Sequence, residues 1–409
     1  GKGRAIMIKL ENISFDHCIK CTVCTVYCPV ARATHHFPGP KQCGPDTERL
    51  RIKNPELLDQ SLKYCTNCKR CEIACPSDVK IADLIQSSKW RYSRNRFRLR
   101  DYILSHTDLM GAFGTALSLV VNFFTSLGLV KFFLQLFFRI PSARAFPSYA
   151  RGTFRRWYRT IRNSQNGYDQ QVVYFHGCYV NYNFHRLGKD VIGVLNALGV
   201  GVMIQPEKCC GVPLIANGFI DKARKNAAFN IASLSGAVKD TDMKIVSSSS
   251  SCTLALKHEY ANLLEMDNSA INGRVEYISR YLLPLVESRD PAKMRPVPLR
   301  AAYHSPCHLE RMGGVIHTVN LLRKIPGLQL RLLHSECCGI AGTYGFKSEY
   351  YKISQSVGEN LFKMINSIDP DIVITDCETC KWQIEMNTPY RVVHPVSVLA
   401  IALSVNDDL

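Results

Sequence analysis

The sequence predicts an α+β/α/β multidomain chain: a helical, cysteine-rich N-terminal region, then an amphipathic helical segment, then two copies of one α/β domain. Three observations carry this. Two cysteine runs of identical spacing lie before residue 76, residues 109–138 are almost uncharged, and cysteines in the second half recur after 128 or 129 residues. A length of 409 residues suits several domains of ordinary size. With 46% apolar and 21% charged residues, the composition excludes an intrinsically disordered chain. The net charge of +17 asks for an acidic partner or an anionic surface. Residues 1–10 are basic and hold no apolar run of secretory length, so the 18 cysteines are expected in a reducing compartment. There, close Cys-x-x-Cys spacings serve metals and clusters.

Cys18, Cys21, Cys24 and Cys28, followed by Pro29, have the spacing C-x2-C-x2-C-x3-C, and Cys65, Cys68, Cys71 and Cys75, followed by Pro76, repeat it. In such a run three thiolates on a tight loop reach one cubane, and the fourth, at the start of a helix, reaches the other. Residues 1–101 therefore read as a helical two-cluster ferredoxin-like domain. One 4Fe-4S cluster falls to Cys18, Cys21, Cys24 and Cys75, the other to Cys65, Cys68, Cys71 and Cys28. Zinc is the alternative, but four-thiolate zinc sites usually combine two separate Cys-x-x-Cys pairs. Cys43 fits neither run and reads as a buried or incidental thiol.

Residues 102–165 form the apolar, basic segment. Between Lys89 and Arg162 there are 14 Lys or Arg and two acids, Asp101 and Asp108, so this stretch holds +12 of the charge. Thr115, Ser118, Asn122 and Thr125 fall on one helical stripe, and Lys131, Gln135 and Arg139 on another, leaving the other faces to large apolar groups such as Phe123, Phe132, Phe133 and Phe137. With basic clusters at residues 91–100 and 151–162, this describes helices lying in an anionic membrane interface. A hairpin buried in the protein's own core, with its basic flanks on an acidic subunit, is a second reading, and spanning helices are a third. Nucleic acid is not expected as a partner, because the basic residues flank apolar surface instead of lining a polar groove.

From Gln171 the pattern becomes short β-branched runs between helix-like stretches, which reads as α/β over 166–290 and again over 291–409. Cys178 to Cys307 is 129 residues, Cys210 to Cys338 is 128 and Cys252 to Cys380 is 128, so the two domains are copies. Each has a lone cysteine after its first strand and then a Cys-Cys-Gly triplet. The second ends in Cys377 and Cys380, where the first has Ser249 and Cys252. The first copy thus offers Cys178, Cys209, Cys210 and Cys252 for an ordinary 4Fe-4S cluster. The second offers Cys307, Cys337, Cys338, Cys377 and Cys380, one thiolate more than a cubane needs. His304, His308 and Tyr344, with His334 and Phe346 nearby, are candidates for the vicinity of a quinone, which needs an apolar slot, hydrogen-bond partners and a proton source.

These motifs resemble a family of iron-sulfur subunits that pair a two-cluster ferredoxin region with two Cys-Cys-Gly domains, as in heterodisulfide reductases and glycolate or lactate oxidases. More narrowly, residues 11–21 (ENISFDHCIKC), 303–308 (YHSPCH), 376–386 (DCETCKWQIEM) and 152–159 (GTFRRWYR) are similar to the iron-sulfur, membrane-anchor subunits of anaerobic glycerol-3-phosphate dehydrogenases. The resemblance implies a complex in which a flavoprotein subunit, with a second flavin-type subunit, oxidises glycerol 3-phosphate to dihydroxyacetone phosphate. This chain would then relay electrons to menaquinone at the cytoplasmic face of the membrane, as a peripheral or monotopic subunit. It also implies a non-cubane cluster on the five cysteines of the second copy. No G-x-G-x-x-G opens a strand-turn-helix unit, so no flavin is expected on this chain and it has no catalytic residue for substrate oxidation. A catalytic heterodisulfide-reductase-like subunit, or the iron-sulfur subunit of a glycolate or lactate oxidase, is the alternative function.

Overall fold

The computed structural model describes residues 15–57, 59–93 and 98–409. Arg94, Arg96 and the beginning of the 11–21 stretch lie outside the described residues. The C-terminal region holds two four-stranded parallel sheets. The first consists of β1 (Gln170–Tyr174), β2 (Val200–Met203), β3 (Ile245–Ser247) and β4 (Val275–Tyr277), in the order β2-β1-β3-β4. The second consists of β5 (Arg300–His304), β6 (Gln329–Leu332), β7 (Ile372–Thr375) and β8 (Val392–Val393), in the order β6-β5-β7-β8. The repeat read from cysteine spacing is thus a repeat of topology. Register repeats too: Tyr174 pairs with Val246 in one sheet and Tyr303 with Ile374 in the other. Parallel neighbours need crossovers, supplied by helices such as His185–Ala197 and Ile220–Val238 in the first copy and Val315–Arg323 and Ser348–Ile368 in the second.

The copies pack reciprocally. Helix His185–Ala197 of the first lies against Pro395–Ala402 of the second, while Ile278–Glu287 of the first lies against Val315–Arg323 of the second. The same two repeat elements meet twice in opposite order, as in a two-fold pair, and they close one shared core that includes Tyr174, Leu195, Tyr303, Ile374 and Leu399. Strands β2, β4 and β8 were not evident in the sequence. β4 and β8 are too short to show periodicity, and β2 is interrupted by Gly201, where a Cβ would lie 2.5 Å from the Gln165 carbonyl oxygen.

The N-terminal region is helical and carries its own core of Phe15, Val30, Phe37, Leu62, Val79, Ile81 and Ile85. Cys337 and Val357 of the second copy belong to the same cluster, so this region is seated on that copy.

The apolar segment folds as α1 (Thr107–Ala116), α2 (Ser118–Ser126) and α3 (Gly128–Phe138). The stripe from Thr115 to Thr125, read as one helix face, crosses a break: Leu117 leaves helical geometry, and α1 and α2 meet at 101°. The bend arises from packing, because Gly111 and Gly114 sit against the rings of Tyr182 and Tyr149. Asn122 then clamps the Tyr149 backbone with two hydrogen bonds of 2.8 Å. The polar stripe therefore faces the protein, with Thr115 and Ser118 buried, while Leu119, Phe123, Phe132 and Phe137 are exposed at 57–71%. A hairpin buried in the protein's own core is overturned by this exposure. Among the described residues no single helix is long and apolar enough to cross a membrane.

Not all of the positive charge faces outward. Arg100 is buried against Glu349 and Asp101. Arg144 is buried on the Gly345 carbonyl and Gln383, and Arg155 binds His176 and the Glu207 carbonyl. Arg151, Arg156, Arg159 and Arg162 remain exposed.

Candidate iron-sulfur centres

The two N-terminal cysteine loops share an unusual backbone. Lys20 and Thr22 in the first, and Asn67 and Lys69 in the second, have φ between 54° and 64°. These are the residues before and after the second cysteine of each run, and non-glycine residues adopt this left-handed conformation only when the surroundings impose it. Successive backbone N–H groups in turns of this kind suit an anionic group. Cys24 lies within electrostatic reach of Cys18, Cys75 and Cys21, and burial pushes its thiol up. Burial likewise pushes up Cys28, which lies near Cys68 and Cys65, and Cys71, which faces Cys68, Cys65 and Cys28. Each run thus sends its fourth cysteine to the other's group. Cys43 belongs to neither run: it is fully buried, 3.1 Å from the Ser61 hydroxyl and within electrostatic reach of Cys65, and burial pushes it up to about 12.

In both α/β copies the cysteines follow the carboxyl ends of the strands, where open parallel sheets gather their ligands. In the first copy Cys178 contacts Cys209, Cys210 lies between Cys209 and Cys252, and hydrogen bonding with burial raises Cys178, Cys209 and Cys210. The Cys209 amide donates to Asp108 of α1 at 2.8 Å, tying this group to the apolar segment. A Cβ on Gly177 would lie 3.3 Å from the Cys252 sulfur, so the glycine leaves room beside it. Ser249, in place of a fifth cysteine, caps the following helix and donates at 2.9 Å to Glu378 of the second copy.

In the second copy the Cys338 and Cys380 sulfurs are 3.1 Å apart, and the Gly339 amide reaches the Cys337 sulfur at 3.4 Å. Hydrogen bonds from Cys337 and Cys380 hold Cys338 well below the usual thiol range. Cys307 lies within reach of Cys338 and Cys377, completing five thiols in one group.

All 18 cysteines are free thiols, most of them buried. Soft sulfur donors gathered in fours and fives suit iron-sulfur clusters. Cys68 of the N-terminal region is within reach of both Cys307 and Cys337, so two sulfur groups adjoin. Arg70 is buried between them, bonded to the Ser335 carbonyl at 3.0 Å and to Glu310.

The three residues singled out for a quinone do not converge. His304 is 1% exposed, shares a space under 4.8 Å across with the Cys338 and Cys380 sulfurs, and helps to lower the Cys338 thiol. His308 bridges Ser251 of the first copy, at 3.0 Å, to the Asn67 carbonyl of an N-terminal loop. Tyr344 lines a separate cavity with Cys65 and Lys347. Sequence reasoning missed the reach of Glu378 to Ser249, the contact of Cys68 with the second copy and the place of His304 among sulfurs. Only the last had a local signal: His304 closes β5, three residues before Cys307, where the cysteine-bearing loop begins.

Residues 14–79 match the 4Fe-4S dicluster domain family, and residues 172–257 and 301–385 match the cysteine-rich (CCG) domain family. Over 396 residues the chain is 52% identical to one of the subunits of the anaerobic glycerol-3-phosphate dehydrogenase of Escherichia coli (strain K12), covering 97% of this chain and 100% of that one. More distant relatives include a component of the fumarate reductase (CoM/CoB) of Methanothermobacter marburgensis, 26% identical over 94% of this chain and 70% of that one. A component of the dihydromethanophenazine:CoB–CoM heterodisulfide reductase of Methanosarcina mazei is 25% identical over 91% of this chain and 88% of that one. An N-terminal dicluster domain, a duplicated cysteine-rich domain and 52% identity over nearly the whole length make the chain a member of the family of anaerobic glycerol-3-phosphate dehydrogenase iron-sulfur subunits.

Proposed function

We propose that this subunit takes electrons from a flavoprotein partner that oxidises glycerol 3-phosphate to dihydroxyacetone phosphate and delivers them to menaquinone at the membrane surface. Four clusters are assigned. Two cubanes fall on the exchanged N-terminal quartets, one on Cys178, Cys209, Cys210 and Cys252, and a non-cubane cluster on Cys307, Cys337, Cys338, Cys377 and Cys380. When bound, such clusters supply one-electron carriers. The chain's residues space them, keep water away and set their charge. Cys21 is exposed, which suits a point of entry from a partner, whereas the other quartet and the second copy are mostly buried. The single observation that carries the relay is the meeting of Cys68 with Cys307 and Cys337 around the Arg70 guanidinium, which offsets the negative charge of the two thiolate groups.

The exposed apolar faces of α2 and α3 support a seat on the membrane, in plane and on the cytoplasmic face. Anionic lipid suits the exposed Arg151, Arg156, Arg159 and Arg162. Replacing Phe132, Phe133 and Phe137 by Ser is expected to release the complex from lipid vesicles; unchanged co-sedimentation would sink the anchor. The five-thiol group favours one competing reading, a disulfide reductase. The relay predicts quinone reduction only when glycerol 3-phosphate and the flavoprotein are both present. Turnover of a disulfide by this chain with an artificial donor would select the reductase instead.

A further inference from the structure

A cavity of about 220 Å³ lies where the parts of the chain meet. Its wall takes Cys65 and Asn67 from the second N-terminal loop, Asn217 from the first copy, and Tyr344, Lys347 and Tyr350 from the second. Three buried polar atoms of its lining have no partner in the protein: the Asn67 and Gln86 side-chain carbonyl oxygens and the Tyr344 hydroxyl. Each such atom left bare costs about 1–3 kcal/mol, so three on residues that line one cavity favour an occupant that both accepts and donates hydrogen bonds once these side chains turn toward it. The Tyr344 and Tyr350 rings stack at 4.5 Å and 8°, giving the cavity a flat aromatic wall. Lys347, held by Asp101 at 3.1 Å and by Asn217 at 2.7 Å, supplies an ammonium that burial brings down to about 8.

The cavity also adjoins the apolar face. Helix α3 ends at Arg139, whose carbonyl accepts from the Ser348 amide at 2.9 Å and from Arg100 at 3.2 Å, and Ser348 lies between the cavity residues Lys347 and Glu349. The helix that exposes Phe132, Phe133 and Phe137 therefore stops beside the site.

We infer that this cavity receives the headgroup of a lipophilic quinone, with the Tyr344 hydroxyl and the Lys347 ammonium donating to the quinone carbonyls and the Asn67 and Gln86 oxygens accepting from the quinol hydroxyls. The inference rests on the quinone-linked relay proposed above and gives it a place. The step balances as quinone + 2 electrons + 2 protons → quinol. The electrons are those removed from glycerol 3-phosphate, and they arrive on the side walled by Cys65. Lys347 passes both protons in turn, recharged from solvent between the two transfers, so both C=O groups become C–OH and nothing leaves. A planar bicyclic headgroup fits the paired rings, and both redox states find partners.

The test uses the anaerobically purified complex in detergent with 2,3-dimethyl-1,4-naphthoquinone as acceptor, comparing Tyr344→Phe and Lys347→Gln with the unaltered chain. Tyr344→Phe keeps the ring, Lys347→Gln removes the ammonium while leaving a polar side chain, and iron content checks that the variants are loaded. The ratio of quinone-linked to ferricyanide-linked activity is expected to fall about fivefold or more in each, by loss of a hydrogen bond to the reacting oxygen. An azido-naphthoquinone photolabel is expected on residues 341–350. Unchanged ratios with label elsewhere would overturn the site while leaving the relay intact. An unaltered complex that reduces ferricyanide but no quinone would instead overturn the relay reading itself.

Discussion

The two cysteine-rich copies have the same strand order and the same crossover helices, yet they differ where the strands end. In the first copy Phe175 is fully buried in the core and Ser249 caps a helix; at the matching positions the second has His304 and Cys377. One copy thus has four thiols and an apolar ring, the other five thiols and an imidazole set against the Cys338 and Cys380 sulfurs. A parallel sheet tolerates such changes because its stability lies in the strands and crossovers, while the loops past their carboxyl ends carry chemistry. Duplication kept the scaffold and let one site diverge. The copies stay interlocked through Ser249 and Glu378, so the divergent loop of the second also braces the first.

The comparison breaks most visibly at the fifth thiol. Cys377→Ser is expected to remove about four of roughly 16 irons per chain and to abolish electron delivery to quinone. The N-terminal cluster signals in the electron paramagnetic resonance spectrum should remain, and normal quinone reduction would take the second copy off the path. His304→Phe, which installs the first copy's residue, sharpens the contrast without removing a sulfur. Iron content should hold while the spectrum and midpoint potential of the second-copy cluster shift; an identical spectrum would show that the imidazole does not touch it.

Ser249→Ala tests the brace between copies. It removes the helix cap and leaves the buried Glu378 carboxyl without that donor, so a loss of about 1–3 kcal/mol is expected in thermal unfolding of the loaded chain. Burial already raises Glu378 above its usual range, so its folded form holds a proton more tightly than its unfolded form. The loss should therefore grow as the pH rises through the usual carboxylate range, where the unfolded chain ionises first. The smallest effect belongs to Cys43→Ser, since that thiol serves neither loop. Iron and sulfide per chain should be unchanged, with only a slight shift in Tm.

How much of this was legible in the sequence follows from the range of each interaction. The N-terminal loops were readable because the cysteines that define them are three or four residues apart. The duplication was readable because Cys178, Cys210 and Cys252 recur at a near-constant offset, which needs no contact information. The bend at Leu117 was not, because helical-wheel arithmetic assumes continuity and the cause lies in Tyr149 and Tyr182 pressing on two glycines. The charge count of this stretch carries no sign that Arg100 and Arg144 are held in the interior by Glu349 and Gln383, far along the chain. The approach of Cys68 to Cys307 and Cys337, and of Glu378 to Ser249, comes entirely from domain packing. His304 fell on the right loop but among sulfurs, apart from the cavity of Tyr344.

The proposed relay requires four clusters on the chain. Iron, zinc and acid-labile sulfide should be measured per chain after anaerobic purification. Roughly 16 irons, with matching sulfide and no zinc, is the predicted result for four sites of about four irons each. About half that iron would confine clusters to the N-terminal loops and contradict the assignment of the two cysteine-rich copies, and zinc without sulfide would contradict the relay as a whole.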